Sequence, residues 1–533
     1  MSSLLSLVRR RLGLLAALGA LSLVGCATVT TAPDPLQSAP QADQSVVVLS
    51  LTGNTSQVGA ASSISVRRFD PARPDAREIH ILRQVAPGMA RDTALYIGTL
   101  PVGEYEVASF DYAATQQYLT LSEPMRKRLG RFAAAGGKPV DLGRLVATSM
   151  NAGVLVGRSA RQADNLQLVR RFAQPYQKFF DRADVALGWT SGRTETDRVE
   201  EYALLVPVGA DNPAELPDGR VVMGARLGTA WVRQPDGQWE PVRGEGLEAL
   251  LCVRAGDADE RDLVAVGEFG TLVRAAKGSR RFERVDPGNL PPGNLLFVAG
   301  NGTHGWFVVH QVAGQLKILR SPRFEAGDWT VVRELTLGSS IWSGGEQFWV
   351  WTTPEGFAYA TGDGGLHRYD LAKASWTAAA PTPKQHRIIG IAEDGAGHVG
   401  LLTSPGGGFG GAFAGQFFST DAGRSWRELN TEFKIKVTPP RRAGSGELVT
   451  MGGVFSSPEM HASGDGGTTW AKRSEFSLDQ NLHIMPSGLM LAASRGSFGI
   501  FVVRVSKDHG KTWRAEFSNF DRRAFEAQQN RAR

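Results

Sequence analysis

Three groups of residues in this chain combine a carboxylate, a hydroxyl and an aromatic ring at one fixed spacing. Ser419, Asp421, Gly423 and Trp426 follow the pattern Ser-x-Asp-x-Gly-x-x-Trp, which returns at Ser463, Asp465, Gly467 and Trp470 and again at Ser506, Asp508, Gly510 and Trp513. Three copies are far beyond chance. The spacing speaks for a turn rather than for chemistry on a substrate. A short Asp accepts hydrogen bonds from the backbone N–H groups of its own turn, Gly supplies the φ > 0 position, and Trp buries a large ring.

Other chemically capable groups are less ordered. Asp257, Asp259, Glu260 and Asp262 sit in one turn-like stretch, whereas a carboxylate pair for hydrolysis must face itself across a cleft. Ser404 to Gly411 is glycine-rich but lacks the Lys-Ser/Thr and the following helix of a phosphate loop, so it reads as a hairpin connection. The nine histidines show no His-x-x-x-His spacing and the two cysteines no Cys-x-x-Cys, so neither a metal nor any other cofactor is expected.

The elements that must carry these groups are short strands. The 63 glycines and 25 phenylalanines, with 42% hydrophobic and 21% charged residues, favour many strands joined by glycine turns over helical bundles. From Tyr202 onward, aligning the turn aromatics gives Trp239, Phe282, Trp329, Trp376, Trp426, Trp470 and Trp513, at intervals of 43, 47, 47, 50, 44 and 43 residues. That is the period of a four-stranded propeller blade, and seven copies imply seven blades over residues 201–518. The first four copies are degenerate: Gln234 to Trp239 and Ala326 to Trp329 keep only fragments of the pattern. One unit reads as four strands from inside to outside: His386 to Glu393, His398 to Thr403, Gln416 to Asp421 and Ser425 to Leu429. No strand exchange between the ends of the ring is evident.

Residues 45–157 read as a separate β-sandwich, with runs such as Val46 to Leu51, Ser63 to Arg67, Glu78 to Leu82 and Ala94 to Gly98. Residues 158–200 form a helical connector that Pro175 divides into two short helices, followed by a mobile polar run from Thr190 to Glu201. The polar tail 519–533 is expected to fray. The fold class expected is therefore all-β, a small sandwich followed by a seven-bladed β-propeller.

The Ser-x-Asp-x-Gly-x-x-Trp copies resemble the Asp-box, or bacterial neuraminidase repeat, a turn between the third and fourth strands of propeller blades. The resemblance raises sialidase-like glycoside hydrolysis as one function. Sialidases have an Arg-Ile-Pro motif and a late Tyr nucleophile paired with Glu. This chain has no Arg-Ile-Pro, and its only propeller tyrosines are Tyr202, Tyr359 and Tyr369, outside the last three blades. Six blades is also the sialidase norm. A seven-bladed propeller of this kind without sialidase residues is similar to the photosystem II assembly factor type, whose members bind partner proteins, so a non-catalytic scaffold for an envelope protein or glycan is expected. The segment Leu100 to Phe110 likewise resembles the "LPxGxYxV" strand entry of prealbumin-like domains in bacterial lipoproteins.

The start of the chain is read as an address. Arg9, Arg10 and Arg11 precede an apolar run from Leu12 to Val24 that is too short to span a bilayer. It ends in Leu23-Val24-Gly25-Cys26, which resembles the bacterial lipobox. The resemblance implies a signal peptide over 1–25, a lipidated Cys26 and a disordered tether over 26–44 that is rich in Pro, Ala, Ser and Thr. Ala27, where Asp would signal retention in the inner membrane, implies an outer-membrane lipoprotein on either its periplasmic or its cell-surface face. Losing 1–25 removes three Arg and no carboxylate, so the formal charge falls from +6 to about +3 and gives no reason to expect nucleic acid. Cys252 is then the one remaining thiol, so no internal disulfide forms.

Overall fold

The computed structural model describes residues 28–518 apart from 55–60, 73–77, 113–116, 151–152, 161–163, 183, 192–197, 257–261, 302–303, 338–347, 354–355, 363, 395, 406–413, 455–456, 476–479 and 496–500. The leader with Cys26, the tail 519–533, most of the glycine-rich stretch, and Asp257, Asp259 and Glu260 lie outside the described residues.

The chain from Asp211 to Ser518 forms seven sheets, six of four strands and one of five, and every sheet is built from consecutive strands. Blade 1 comprises Asp211–Glu215, Val221–Gly224, Thr229–Arg233 and Trp239–Arg243, and blade 7 comprises Gln480–Ile484, Met490–Arg495, Phe501–Ser506 and Arg514–Ser518. This is the expected seven-bladed propeller. Side chains alternate across each blade to fill two interfaces. In the third strand of blade 1, Ala230 and Val232 pack with blade 2 while Trp231 packs with Phe501 and Val503 of blade 7. The ring thus closes by packing between first and last blades, and among the described residues no strand is exchanged between them.

Each of the seven turn aromatics stands at the start of a fourth strand, where it reaches the preceding blade. Trp376 donates its indole N–H to the Val332 carbonyl at 2.9 Å, and Trp513 donates to the Ser474 hydroxyl at 3.3 Å. Blade 6 is the five-stranded one: Pro439 and Pro440, which have no N–H to give, split its inner strand into Ile435–Lys436 and Arg441–Arg442. Blade 5 makes room with Gly400, where a Cβ would lie 1.7 Å from the Pro440 carbonyl oxygen.

The N-terminal strands join in one sheet of eleven, in which Gln44–Asn54 lies between the antiparallel Thr93–Pro101 and the parallel Val140–Met150. Alternate residues (Val47, Leu49, Leu51, Ile64, Tyr96, Phe110) point into one core, while Val46, Val48, Leu95 and Ile97 face the connector helices. Asp164–Phe172 ends before Pro175, after which a single 3-10 turn leads into Gln177–Phe180, as the proline predicts.

Two expectations need correction. The tether does not hang free beyond residue 27. Thr28–Thr31 pair in parallel with Glu78–Ile81, the Thr99 N–H reaches the Pro33 carbonyl at 3.0 Å, and Ala32 and Pro35 are buried. The reason is tertiary: the β-branched run Thr-Val-Thr-Thr fills the gap where Glu78–Val85 and Thr93–Pro101 diverge. The run from Thr190 to Glu201 is also not loop throughout, because Arg198–Leu205 is a helix. Ala203 from it packs with Val146, Leu227 and Leu247 between sheet and propeller.

Candidate functional site

The three repeated turns are C-terminal halves of blades 5, 6 and 7, each joining the third strand to the fourth. In the first, the Ser419 hydroxyl donates to Asp421 Oδ1 at 2.7 Å and accepts the Gly423 N–H at 2.7 Å. Asp421 Oδ1 also accepts from the Arg424 and Ser425 N–H groups at 3.0 and 2.9 Å, and Oδ2 takes the Ser425 hydroxyl at 2.6 Å. Ser463 repeats this on Asp465, with Thr469 Oγ1 at 2.6 Å, and Ser506 on Asp508, with Thr512 Oγ1 at 2.6 Å. Gly423, Gly467 and Gly510 have φ of 81°, 96° and 85°, which a side chain would resist.

These bonds set the electrostatics. The hydroxyl bond from Ser425, Thr469 or Thr512, then the backbone N–H groups and the upstream serine, hold each Asp well below the usual carboxylate range. Each carboxylate is thus ionised and occupied by its own turn. The three turns lie on successive blades and do not converge. Trp426 packs with Leu366 and Ile388 between blades 4 and 5, and Trp470 with Phe418 and Leu429 of blade 5.

Asp262, Tyr359 and Tyr369 likewise stand apart from one another. Asp262 pairs with Arg274 at 2.6 Å. Tyr359 is buried, and its hydroxyl accepts from Arg333 Nε at 2.9 Å, while burial raises its pKa. Tyr369 is buried too. Among the described residues no group of three His, Cys, Asp or Glu is placed to hold a metal.

The strongest concentration of buried charge lies elsewhere, between the N-terminal sheet and the propeller. Arg144 Nη2 meets Glu248 Oε1 at 2.9 Å, with side-chain exposures of 0% and 3%. Arg226 Nη2 meets Asp92 Oδ1 at 2.9 Å, also buried. Arg91 bridges Asp92 and Asp211 at 3.2 and 3.1 Å. Glu268 is fully buried and accepts N–H bonds from Arg91 at 2.7 Å and Ala249 at 3.2 Å, and another from Asp92. Burial, reinforced by the Asp92 charge, pushes its pKa up to about 7. Asn54 adds bonds to Ala203 O, Val206 O and Val208 N.

Arg226 and Glu268 lie between the second and third strands of blades 1 and 2, and Glu248 between blades 1 and 2. In an antiparallel blade those connections share one end, opposite to the turns between third and fourth strands. The sheet and its loops therefore cover one propeller face at blades 1 to 3, where Gly88 lies against Ala313, and among the described residues leave the turn-bearing face open. That open face holds a cleft of about 480 Å³ between blades 3 and 4, lined by His304, Arg320, Ser321, Asp328, Thr330 and Leu371. The Arg320 guanidinium stands 5.9 Å from the ring centres of both Phe307 and Tyr369. The cleft presents a cation, an acid and hydroxyls, a set suited to holding a polar ligand.

None of the interface pairs was legible in the sequence, because partners separated by 104 or 134 residues leave no spacing signal. The nearest hint was the acid-rich, glycine-flanked Gly244-Glu-Gly-Leu-Glu248.

The sequence matches no family model and no curated protein. Among solved structures, the chain is 14% identical to YCF48 bound to a D1 peptide, covering 57% of this chain and 95% of that one with a TM-score of 0.40. YCF48 from Cyanidioschyzon merolae gives 15%, with 53% and 92% covered and a TM-score of 0.38. A GH74 xyloglucanase from Xanthomonas campestris gives 18%, with 58% and 54% covered and a TM-score of 0.39. What the chain shares with them is the propeller fold alone.

Proposed function

We propose that the protein is a non-catalytic scaffold of the bacterial envelope, anchored to the outer membrane through an acylated Cys26, whose propeller engages a protein or glycan partner. The observation that carries this reading is the fixed docking of the N-terminal sheet on one propeller face through the buried pairs Arg144–Glu248 and Arg226–Asp92. Such a joint holds the opposite face in a constant attitude, which serves presentation to a partner. The three repeated turns act in this reading as Asp-boxes that stabilise the blades. Their carboxylates are fully engaged by their own hydroxyls and backbone, which argues against a role in turnover.

The full chain is to be assayed on a panel of fluorogenic sialosides and other glycosides. No turnover above the uncatalysed rate is expected. Robust hydrolysis that Asp328→Asn in the open cleft abolishes would replace the scaffold with a sialidase-like or other glycoside hydrolase.

A further inference from the structure

We propose that residues 28–44 are a strap that holds one end of the N-terminal sheet directly against a lipid bilayer, with Val29, Leu36 and Val102 at the contact. This rests on the acylation of Cys26 proposed above and goes further, because acylation alone says nothing of how far the folded body stands from the membrane.

A free tether from residue 26 to 44 would let the body wander about 25 Å from its lipid. The pairing of Thr28 with Glu78 ends that freedom at once, since Cys26 precedes Thr28 by two residues and two residues span at most about 7 Å. The strap is also secured along its length. Ala32 N–H bonds the Ile81 carbonyl at 3.0 Å, Thr99 N–H bonds Pro33 O at 3.0 Å, and Val102 N–H bonds Asp43 O at 2.9 Å. Removing it would leave these sheet groups without partners.

Among the described residues five large hydrophobic side chains are exposed, and three of them lie on the strap or bonded to it: Val29 at 56%, Leu36 at 39% and Val102 at 44%. Val102 and Thr28 are joined through one guanidinium: Arg68 bonds the Val102 carbonyl at 3.0 Å and Glu78, the register partner of Thr28, at 3.3 Å. Acylation of Cys26 would bring a bilayer within about 7 Å of Thr28, next to the exposed Val29.

The test uses the acylated full-length protein in phosphatidylcholine and phosphatidylglycerol vesicles carrying a headgroup nitroxide. A fluorophore is placed on Ser38→Cys, an exposed strap residue, or on Lys507→Cys, exposed in the last repeated turn; Cys252 is buried and does not compete for label. Quenching at Ser38→Cys is expected to exceed that at Lys507→Cys at least fivefold. A 20-residue Gly/Ser insert between Ala27 and Thr28 is expected to remove most of that difference. Equal quenching at both positions, or no effect of the insert, would overturn the strap while leaving the anchor intact. Fatty-acid labelling of the wild type, with Cys26→Ser as control, distinguishes the two readings: no label on the wild type removes both.

Discussion

Arg233 and Glu516, separated by 283 residues, form a two-pronged ion pair that joins the first blade to the last: Nε to Oε2 at 2.6 Å and Nη2 to Oε1 at 3.0 Å. Both side chains are at most 4% exposed. Removing one partner strands a buried charge, so Glu516→Ala is expected to cost about 3–5 kcal/mol. The double variant Arg233→Met/Glu516→Leu should recover most of that loss. Denaturant titration of the three proteins checks it, and a double variant as weak as the single would refute the assignment.

The repeated turns predict a defined acid response. Because each Asp is held well below its unfolded range of about 4, the stability it contributes is complete above that range and drains away only as pH falls below it, towards the depressed folded value. Asp465→Ala should therefore melt well below wild type at pH 7, and the gap should begin to narrow only as pH drops below about 4. Thermal midpoints along a pH series measure this, and a constant gap would show that the turn bonds are not the cause.

Gly400 is predicted to tolerate no side chain. A Cβ there would lie 1.7 Å from Pro440 O, a backbone atom, so Gly400→Ala should cost about 3 kcal/mol through overpacking. Gly464→Ala, where a Cβ meets nothing within 4 Å, should change stability by less than about 0.5 kcal/mol. Urea midpoints of the pair decide whether the split strand of blade 6 truly leans on blade 5.

Much of the architecture could be read in advance because propeller blades repeat. The aromatics from Trp239 to Trp513 mark all seven fourth strands, since each blade must bury one ring against its predecessor and so preserves the spacing. The Ser–Asp–Gly turns were legible for a related reason: their bonds span at most four residues. The strap and the interface were not. Pro, Ala, Ser and Thr between 27 and 44 have the composition of a linker, and only the gap in a distant sheet makes Thr28–Thr31 a strand. Likewise Arg144, Glu248, Asp92 and Glu268 look like ordinary surface charges until the fold buries them.

Glu268 makes the interface sensitive to pH. Its folded pKa of about 7 stands above the usual 4.5, so the folded state holds its proton more tightly, and stability falls as pH rises through that interval. Glu268→Gln removes the titration. Wild type should lose stability more steeply than the variant between pH 5 and 7.5 in denaturant melts. Parallel curves would mean that Glu268 does not titrate at the interface.

Arg144–Glu248 and Arg226–Asp92 join sheet and propeller into one unit. Differential scanning calorimetry of the full chain tests this most directly. A single transition is expected, in which the calorimetric and van't Hoff enthalpies agree, because neither unit can melt without exposing the other's buried charges. Two resolved transitions would contradict it.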